Sequence, residues 1–159
     1  MRDERLIPTI RKRIESRDYE AVFAHGGCFH FALRLHERFG YTIRGIRAAP
    51  DGKTFSHVWG QKPGDSKGVD IRGVYPEELL VRLANGGKLA MIYDVSIDGI
   101  RDIIRAQEYP SALEEELFKL ADWVIDTHER FLMAKPSDPN LYAQFLMDIE
   151  KRSDGSTAV

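Results

Sequence analysis

The sequence predicts an α+β fold in which a central helix packs on a small antiparallel sheet and further helices follow towards the C-terminus. Three observations indicate it: an apolar helical segment from Cys28 to Phe39, two strand-like segments joined by a short loop over residues 54–71, and a helical periodicity after residue 100. A chain of 159 residues is long enough for one domain with a buried core and too short for two ordinary ones. We therefore expect a single domain over residues 1–159.

Composition and charge argue against some classes of function. Hydrophobic residues make up 43% of the chain and charged residues 30%, which is typical of a soluble globular protein. The net charge of −2 argues against a general nucleic-acid binder, and no apolar run of signal-peptide or membrane-spanning length occurs. We expect a cytoplasmic protein with no membrane or nucleic-acid partner; export without a cleavable signal remains open.

The single cysteine and the uneven charge bear on cofactors and partners. One cysteine, Cys28, excludes an intramolecular disulfide and any multi-cysteine zinc or iron–sulfur site, and we expect no cofactor and no resident metal. Residues 1–50 carry ten Lys/Arg and six Asp/Glu, whereas residues 111–159 carry five and ten. An acidic helical surface is usually solvated, and a protein partner at these acidic C-terminal helices remains an alternative.

The first elements are predicted from hydrophobic spacing and from turn residues. One N-terminal helix is expected over Leu6–Val22. Gly40 is a typical stop for the central helix, and a strand follows over Tyr41–Arg47 with a bulge at Gly45. The next strand is expected over Thr54–Gln61.

The second half of the chain is predicted to be mainly helical. A helix begins at Pro76 and ends at Gly86–Gly87, and a third strand follows over Leu89–Val95. The segments expected after residue 100 are an apolar helical stripe over Leu113–Phe131, a break at Pro136–Asn140, an amphipathic helix over Tyr142–Ile149 and a disordered tail over residues 153–159.

Cys28 follows Gly26 and Gly27 at the start of the central helix. The free N–H groups and the positive end of the helix dipole stabilise a thiolate there, and the glycines allow a sharp turn and leave room beside the sulfur. A single cysteine in an apolar helix is usually a packing residue. A catalytic role for Cys28 therefore requires a base and an orienting group nearby.

His57 and Asp70 are the residues predicted to supply that base and that orienting group. The short loop between their strands favours an antiparallel hairpin. If the hairpin is centred near Pro63-Gly64, His57 and Asp70 lie opposite each other, with Cβ atoms about 5 Å apart. An aspartate at that distance holds an imidazole in one tautomer and stabilises its protonated form.

Four motifs stand in order over about residues 24–72: Gly27-Cys28-x-x-Phe31-Ala32-x-x-Leu35, Phe39-Gly40-Tyr41, Ser56-His57-Val58-Trp59 and Val69-Asp70-Ile71. Together they resemble the core of the transglutaminase-like group of papain-fold cysteine enzymes. The resemblance implies a papain/transglutaminase-like core, which we expect over residues 20–95, with Cys28 as nucleophile, His57 as general base and acid, and Asp70 as orienting residue. The helical segment over residues 100–152 has no counterpart in that core and is expected to be an elaboration.

The resemblance leaves the oxyanion donor and the reaction open. Papain-type proteases have a glutamine shortly before the cysteine that helps to form the oxyanion hole, and none lies between Tyr19 and Gly27. The remaining donors are His25, the Cys28 backbone N–H and the Trp59 indole. The implied reaction is acyl transfer from an amide of a protein or peptide, by a peptidase, amidase, deamidase or transglutaminase-like transferase.

Three alternatives remain. A non-catalytic protein-binding module is one, since a fold does not fix a function. Arylamine N-acetyltransferases also use Cys, His and Asp in this order, but they are larger, and nothing in the sequence indicates an acetyl-CoA site. A zinc site would combine His25, Cys28, His30 and His57, although residues 28 and 30 point to different sides of a helix.

Overall fold

The computed structural model describes residues 6–48, 54–64 and 66–127. Its architecture is α+β, as predicted, with a small antiparallel sheet and helices before and after it. The described elements are α1 (Leu6–Glu15), α2 (Tyr19–Ala24), α3 (Cys28–Phe39), β1 (Thr42–Arg47), β2 (Phe55–Gln61), β3 (Lys67–Asp70), β4 (Gly73–Pro76), α4 (Glu77–Ala84), β5 (Tyr93–Val95), α5 (Ile97–Ala106) and α6 (Ser111–Thr127).

The described strands form one sheet in the order β4-β3-β2-β1-β5, and every pair of neighbours is antiparallel. β2 pairs with β1 along most of its length. Its described pairing with β3 covers two positions, Gly60 with Val69 and Gln61 with Gly68. The half of β2 that carries His57 therefore extends beyond the β2–β3 pairing.

α3 is the central helix and packs on the sheet through β2. Phe31 and Leu35 belong to an apolar cluster shared with α6, and Cys28 and Leu33 belong to a second cluster shared with β1, β2 and α5. Gly40 ends the helix in the left-handed conformation, with φ 73°, which confirms the predicted stop. The helix is thus covered by neighbours on both sides, and its first residue is Cys28.

The prediction of one N-terminal helix over Leu6–Val22 is wrong, because the chain breaks between α1 and α2. Arg17 has a left-handed φ of 59°, and the Asp18 side chain caps α2 by accepting a hydrogen bond from the Ala21 N–H at 3.3 Å. Aspartate is a strong N-cap residue, so this local start signal overrides the continuous apolar periodicity.

The predicted bulge at Gly45 is displaced. The irregularity in the β1–β2 register lies between Ile46 and Arg47. Gly45 instead permits a close approach of the two strands, because a Cβ there would lie 2.7 Å from Val58 Cγ1 and 2.8 Å from the His57 carbonyl oxygen.

Two further strand predictions need correction. The strand expected over Leu89–Val95 is shorter, and β5 covers its last three residues. β4 was not predicted at all: a tight turn at Ile71 and Arg72 reverses the chain and pairs Asp70 with Gly73, whose φ of 118° favours glycine. Ile71, expected in a strand, therefore lies in this turn.

α5 and α6 lie where helices were expected. α6 runs along α3, where Arg34 and Arg38 pair with Asp122 at 3.4 and 3.5 Å. The predicted stripe beyond Thr127, the break at residues 136–140, the helix over residues 142–149 and the tail over residues 153–159 lie outside the described residues. None of the described helices has the length and apolar character needed to cross a membrane.

Candidate active site

The structure brings the three predicted catalytic residues together. Cys28 is the first residue of α3, His57 lies in the part of β2 beyond the β3 pairing, and Asp70 ends β3. His57 Nε2 lies 3.0 Å from Asp70 Oδ2. Cys28, His57 and Asp70 are 3%, 2% and 2% exposed. The three groups therefore interact in a nearly water-free environment.

The strand register differs from the predicted one. The pairing of Gly60 with Val69, continued by one residue away from the loop that joins β2 and β3, sets Asp70 opposite Trp59. It was expected opposite His57. The shift amounts to two residues in the pairing, and side chains alternate with a period of two, so Asp70 and His57 still share a face of the sheet. They meet as diagonal neighbours, a separation that long side chains span.

The charges around His57 favour its protonated form. Burial alone lowers the pKa of His57, but the Asp70 carboxylate and the Cys28 sulfur raise it, with a net pKa of about 9. Nε2 is held by Asp70, whereas Nδ1 is buried and has no hydrogen-bond partner of standard geometry among the described residues. The sulfur of Cys28 thus acts on the ring by proximity without an aligned hydrogen bond, and Nδ1 is the nitrogen left for proton transfer.

Arg72 completes this charge arrangement and was not predicted from the sequence. The Arg72 backbone N–H donates to Asp70 Oδ1 at 2.7 Å, and Arg72 Nη1 donates to Oδ2 at 2.8 Å. Burial raises the pKa of Asp70, but the positive charges of Arg72 and His57 outweigh it and hold that pKa below its usual value. A buried carboxylate needs a cation, and the nearest one along the chain is two residues on, which is the signal that would have found Arg72.

The depressed pKa of Asp70 predicts an acid-sensitive stability. A carboxyl with a lowered native pKa stabilises the fold above its unfolded pKa of about 3.9, and this stabilisation is lost as the pH falls through the native pKa. The gap in unfolding free energy between the parent and Asp70→Asn should therefore be largest near pH 6 and should narrow below about pH 4. Urea denaturation across this range measures it; a gap independent of pH would contradict the assignment.

The N-terminus of α3 presents backbone donors beside the sulfur. The N-cap residue is Gly27, which makes no side-chain cap. The Phe31 N–H donates to the Gly27 carbonyl at 3.1 Å, so helix geometry leaves the N–H groups of Cys28, Phe29 and His30 without an intrahelical acceptor. A Cβ at Gly27 would lie 2.9 Å from the Val22 carbonyl oxygen, so this turn requires glycine. Of the three predicted oxyanion donors, the Cys28 N–H is the one that lies at this helix start, beside the sulfur.

The other two predicted oxyanion donors are placed differently. Trp59 is fully buried, and its indole N–H donates to Glu77 Oε2 at 2.9 Å, so its prediction as an oxyanion donor is corrected to a structural role. His25 is exposed at the end of α2. Partial desolvation of its imidazole against the neighbouring residues lowers its pKa, as do the positive charges of Arg13 and Arg72. His25 is therefore a neutral side chain near His57, and no described contact directs it at Cys28.

A cleft of about 520 Å³ leads to His57. Its walls come from α2, the start of β2, the turn at Arg72 and the end of α4, and include His25, Ser56, His57, Arg72 and Leu83. Such a volume suits a small molecule or a peptide side chain. Cys28 is not among the lining residues, so the cleft reaches the base and stops short of the sulfur.

The part of the chain that the structure describes contains no ligand set for the zinc alternative. No three His, Cys, Asp or Glu side chains gather there in a metal-binding arrangement. His30 is fully buried and stacks on Tyr109, with ring centroids 5.8 Å apart and an interplanar angle of 8°. Burial, with a smaller effect of Arg34, lowers the pKa of His30 to about 4, so its ring is neutral at physiological pH.

The arrangement can generate a nucleophile and receive negative charge. An imidazolium beside a thiol favours the thiolate, and helix N–H groups stabilise an oxygen anion formed next to it. Cys28, His57 and Asp70 are the residues on which the resemblance to transglutaminase-like enzymes rests. Comparisons of this chain with protein-family models, with curated proteins and with solved structures found no match.

Proposed function

We propose that the protein is a thiol enzyme with a papain/transglutaminase-like core, which transfers the acyl group of an amide through Cys28, His57 and Asp70. The observation that carries the proposal is the buried His57, held by Asp70 at 3.0 Å and placed beside the sulfur that begins α3. The pair of Asp70 and Arg72 supports it, because it keeps the orienting carboxylate charged.

The first half of the reaction forms a thioester. The Cys28 thiolate attacks the amide carbon, a C–S bond forms, and the carbonyl electron pair moves onto oxygen. The N–H groups at the start of α3 stabilise this oxyanion. The oxyanion then collapses, the C–N bond breaks, and His57 gives its Nδ1 proton to the departing amine. Asp70 keeps the ring oriented and stabilises its charge before this transfer.

The second half releases the acyl group. Neutral His57 takes a proton from water or from an amine, which attacks the thioester carbon. The second tetrahedral intermediate collapses, the C–S bond breaks and the Cys28 thiolate returns beside the imidazolium. Water gives a peptidase, amidase or deamidase reaction, and an amine gives transfer. A protein or peptide is the proposed acyl donor, and no cofactor takes part in these steps.

Access to the sulfur is part of the proposal. Because Cys28 is 3% exposed and the cleft ends at His57, a carbonyl must pass beside the imidazole to reach it. We therefore propose that substrate binding is accompanied by a small movement near the first turn of α3, as is common for active sites that exclude water.

The first test is the pH dependence of Cys28 alkylation by iodoacetamide, in the parent and in His57→Ala. We expect the parent to react rapidly at pH 6–7, where an ordinary thiol of pKa about 8.5 is mostly protonated, and His57→Ala to lose this reactivity. Mass spectrometry of the carboxamidomethylated protein gives the rate constants. Because Cys28 is the only cysteine, every modified molecule reports on this site.

A second histidine variant separates a specific effect of His57 from the general effect of removing a histidine. His36→Ala removes a histidine from the other end of α3, where its Nδ1 lies 2.9 Å from the Tyr41 carbonyl oxygen, and it should keep the parent's pH profile. If Cys28 reacts like a free thiol in the parent and in His57→Ala alike, the enzyme proposal is wrong. The non-catalytic binding module would then be the better account of the fold.

A further inference from the structure

The carbonyl group of Gly26, two residues before the nucleophile, receives two hydrogen bonds from the segment between α5 and α6. The Tyr109 hydroxyl donates to it at 2.9 Å and the Gln107 side-chain amide at 3.4 Å. These donors lie more than eighty residues further along the chain. The helical segment that was expected to be a mere elaboration thus touches the turn in front of Cys28.

Tyr109 is built into this position. It is 8% exposed, its ring stacks on His30 in the first turn of α3, and a Cβ at Gly26 would lie 3.3 Å from its hydroxyl oxygen. Burial, together with the nearby Cys28, raises the pKa of Tyr109, so the hydroxyl keeps its proton and remains a donor. Gly26 itself has a φ of 104°, which a residue with a side chain rarely adopts.

Gln107 gives the Gly26 carbonyl a second donor, but its own side-chain oxygen is left unpaired. Its Oε1 is buried and has no hydrogen-bond partner within the described part of the chain, while its amide nitrogen reaches Gly26. A buried amide that is only half paired lowers stability, and such groups in native proteins often have a functional reason. The contact of its amide nitrogen with Gly26 supplies one here.

Both ends of one peptide group are therefore fixed. The carbonyl of Gly26 is held by Tyr109 and Gln107, and the N–H of the same peptide group, that of Gly27, donates to the Val22 carbonyl at 2.9 Å. A planar peptide held at its oxygen and at its nitrogen has no freedom to rotate. The orientation of the next N–H, that of Cys28, is then set by the two backbone dihedrals of Gly27, φ −109° and ψ 2°.

We propose that Tyr109 and Gln107 are positioning residues: they hold the Gly26–Gly27 peptide so that the Cys28 sulfur and the N–H groups behind it face the reacting carbonyl. This inference rests on the proposed function, because it concerns the same thiol and the same oxyanion donors. It makes the α5–α6 connection a part of the active site, not an addition to it. A rigid second layer of this kind is what keeps catalytic groups within a fraction of an ångström of their working geometry.

The test is Tyr109→Phe, which removes one hydroxyl and keeps the ring that stacks on His30. In carbon-13 and nitrogen-15 labelled protein, the Gly26 carbonyl resonance and the Cys28 amide resonance should both shift. The alkylation rate of Cys28 by iodoacetamide at pH 7 should fall roughly three- to tenfold, which corresponds to one lost hydrogen bond of ordinary strength. Adding Gln107→Ala should lower the rate further.

The matched control is Tyr41→Phe. It deletes the hydroxyl of another tyrosine, 3% exposed, just beyond the opposite end of α3. We expect it to leave the Cys28 resonance and the alkylation rate unchanged, whatever it does to stability. If Tyr109 has only a structural role, both substitutions lower the unfolding free energy and neither changes the alkylation rate of Cys28.

The outcomes separate this inference from the proposed function. If the parent shows rapid, His57-dependent alkylation and Tyr109→Phe matches it in rate and in the Gly26 resonance, the positioning role is wrong and the triad stands. If the Gly26 resonance shifts but the parent itself has an ordinary thiol, the peptide is held as described, the proposed function fails and the catalytic role of Tyr109 fails with it.

Discussion

Replacing Asp70 by asparagine is expected to slow the alkylation of Cys28 by iodoacetamide at pH 7 by roughly a hundredfold. Asp70 is one of the two groups that raise the pKa of His57 to about 9 against the effect of burial. Without its charge, only the Cys28 sulfur opposes the effect of burial, so the neutral imidazole is favoured more than in the parent. A neutral ring does not stabilise a neighbouring thiolate, so the thiol remains protonated and slow. Rate constants from mass spectrometry measure the effect.

Asp94→Asn is the matched control for this change. Asp94 is 83% exposed and pairs with Arg44 at 2.8 Å, so the substitution removes the same charge from a solvated site. We expect its alkylation rate to stay within about twofold of the parent's, since exposed ion pairs contribute little. Equal rates in the parent, Asp70→Asn and Asp94→Asn would show that Asp70 does not govern the thiol, and the mechanism would have to be abandoned.

The second large effect concerns stability, at Glu77. This carboxylate is 8% exposed and accepts hydrogen bonds from Arg44 Nε at 3.0 Å, from the Trp59 indole at 2.9 Å and from the Gln61 amide at 3.3 Å. Glu77→Ala takes the acceptor from the fully buried Trp59 indole N–H and the buried carboxylate from Arg44. We expect the unfolding free energy to fall by roughly 3 kcal/mol, because removal of one partner strands buried polar groups.

The neighbouring residue gives the control for Glu77. Glu78 is 64% exposed, and its one described ion pair is with Arg82 at 3.4 Å, one helical turn on. Glu78→Ala should change the unfolding free energy by less than about 0.5 kcal/mol. Urea or guanidinium denaturation of the three proteins decides the matter. Similar losses in both variants would mean that the Glu77 network contributes no more than a surface pair.

The His57–Asp70 pair could be predicted from the sequence because it depends on parity along two adjoining strands. The predicted register was wrong by two residues, yet the pair forms, since a shift of two returns each side chain to the same face. The exact register depends on the turn conformation between Gln61 and Lys67, which loop composition alone does not specify.

Other parts of the site could not be predicted, because they depend on contacts between distant segments. Tyr109 and Gln107 meet Gly26 in a fold in which α6 packs on α3, and no local pattern around residue 107 indicates this. Trp59 was predicted as an oxyanion donor in place of the missing glutamine, but its indole meets Glu77, which comes from the start of α4. Sequence spacing indicates which face a side chain takes, not which neighbour reaches it first.

The two ends of α3 differ in how well they are capped. At its C-terminus Gly40 donates its backbone N–H to His36 and closes the last turn. At its N-terminus a serine or aspartate would ordinarily add about 1 kcal/mol of stability, and Gly27 supplies no such side chain. The helix is left incomplete at the end that carries the sulfur, and on the proposed mechanism an oxygen of the substrate would complete it. Folding and recognition then share one interaction, so occupancy of the site would appear as a gain in thermal stability.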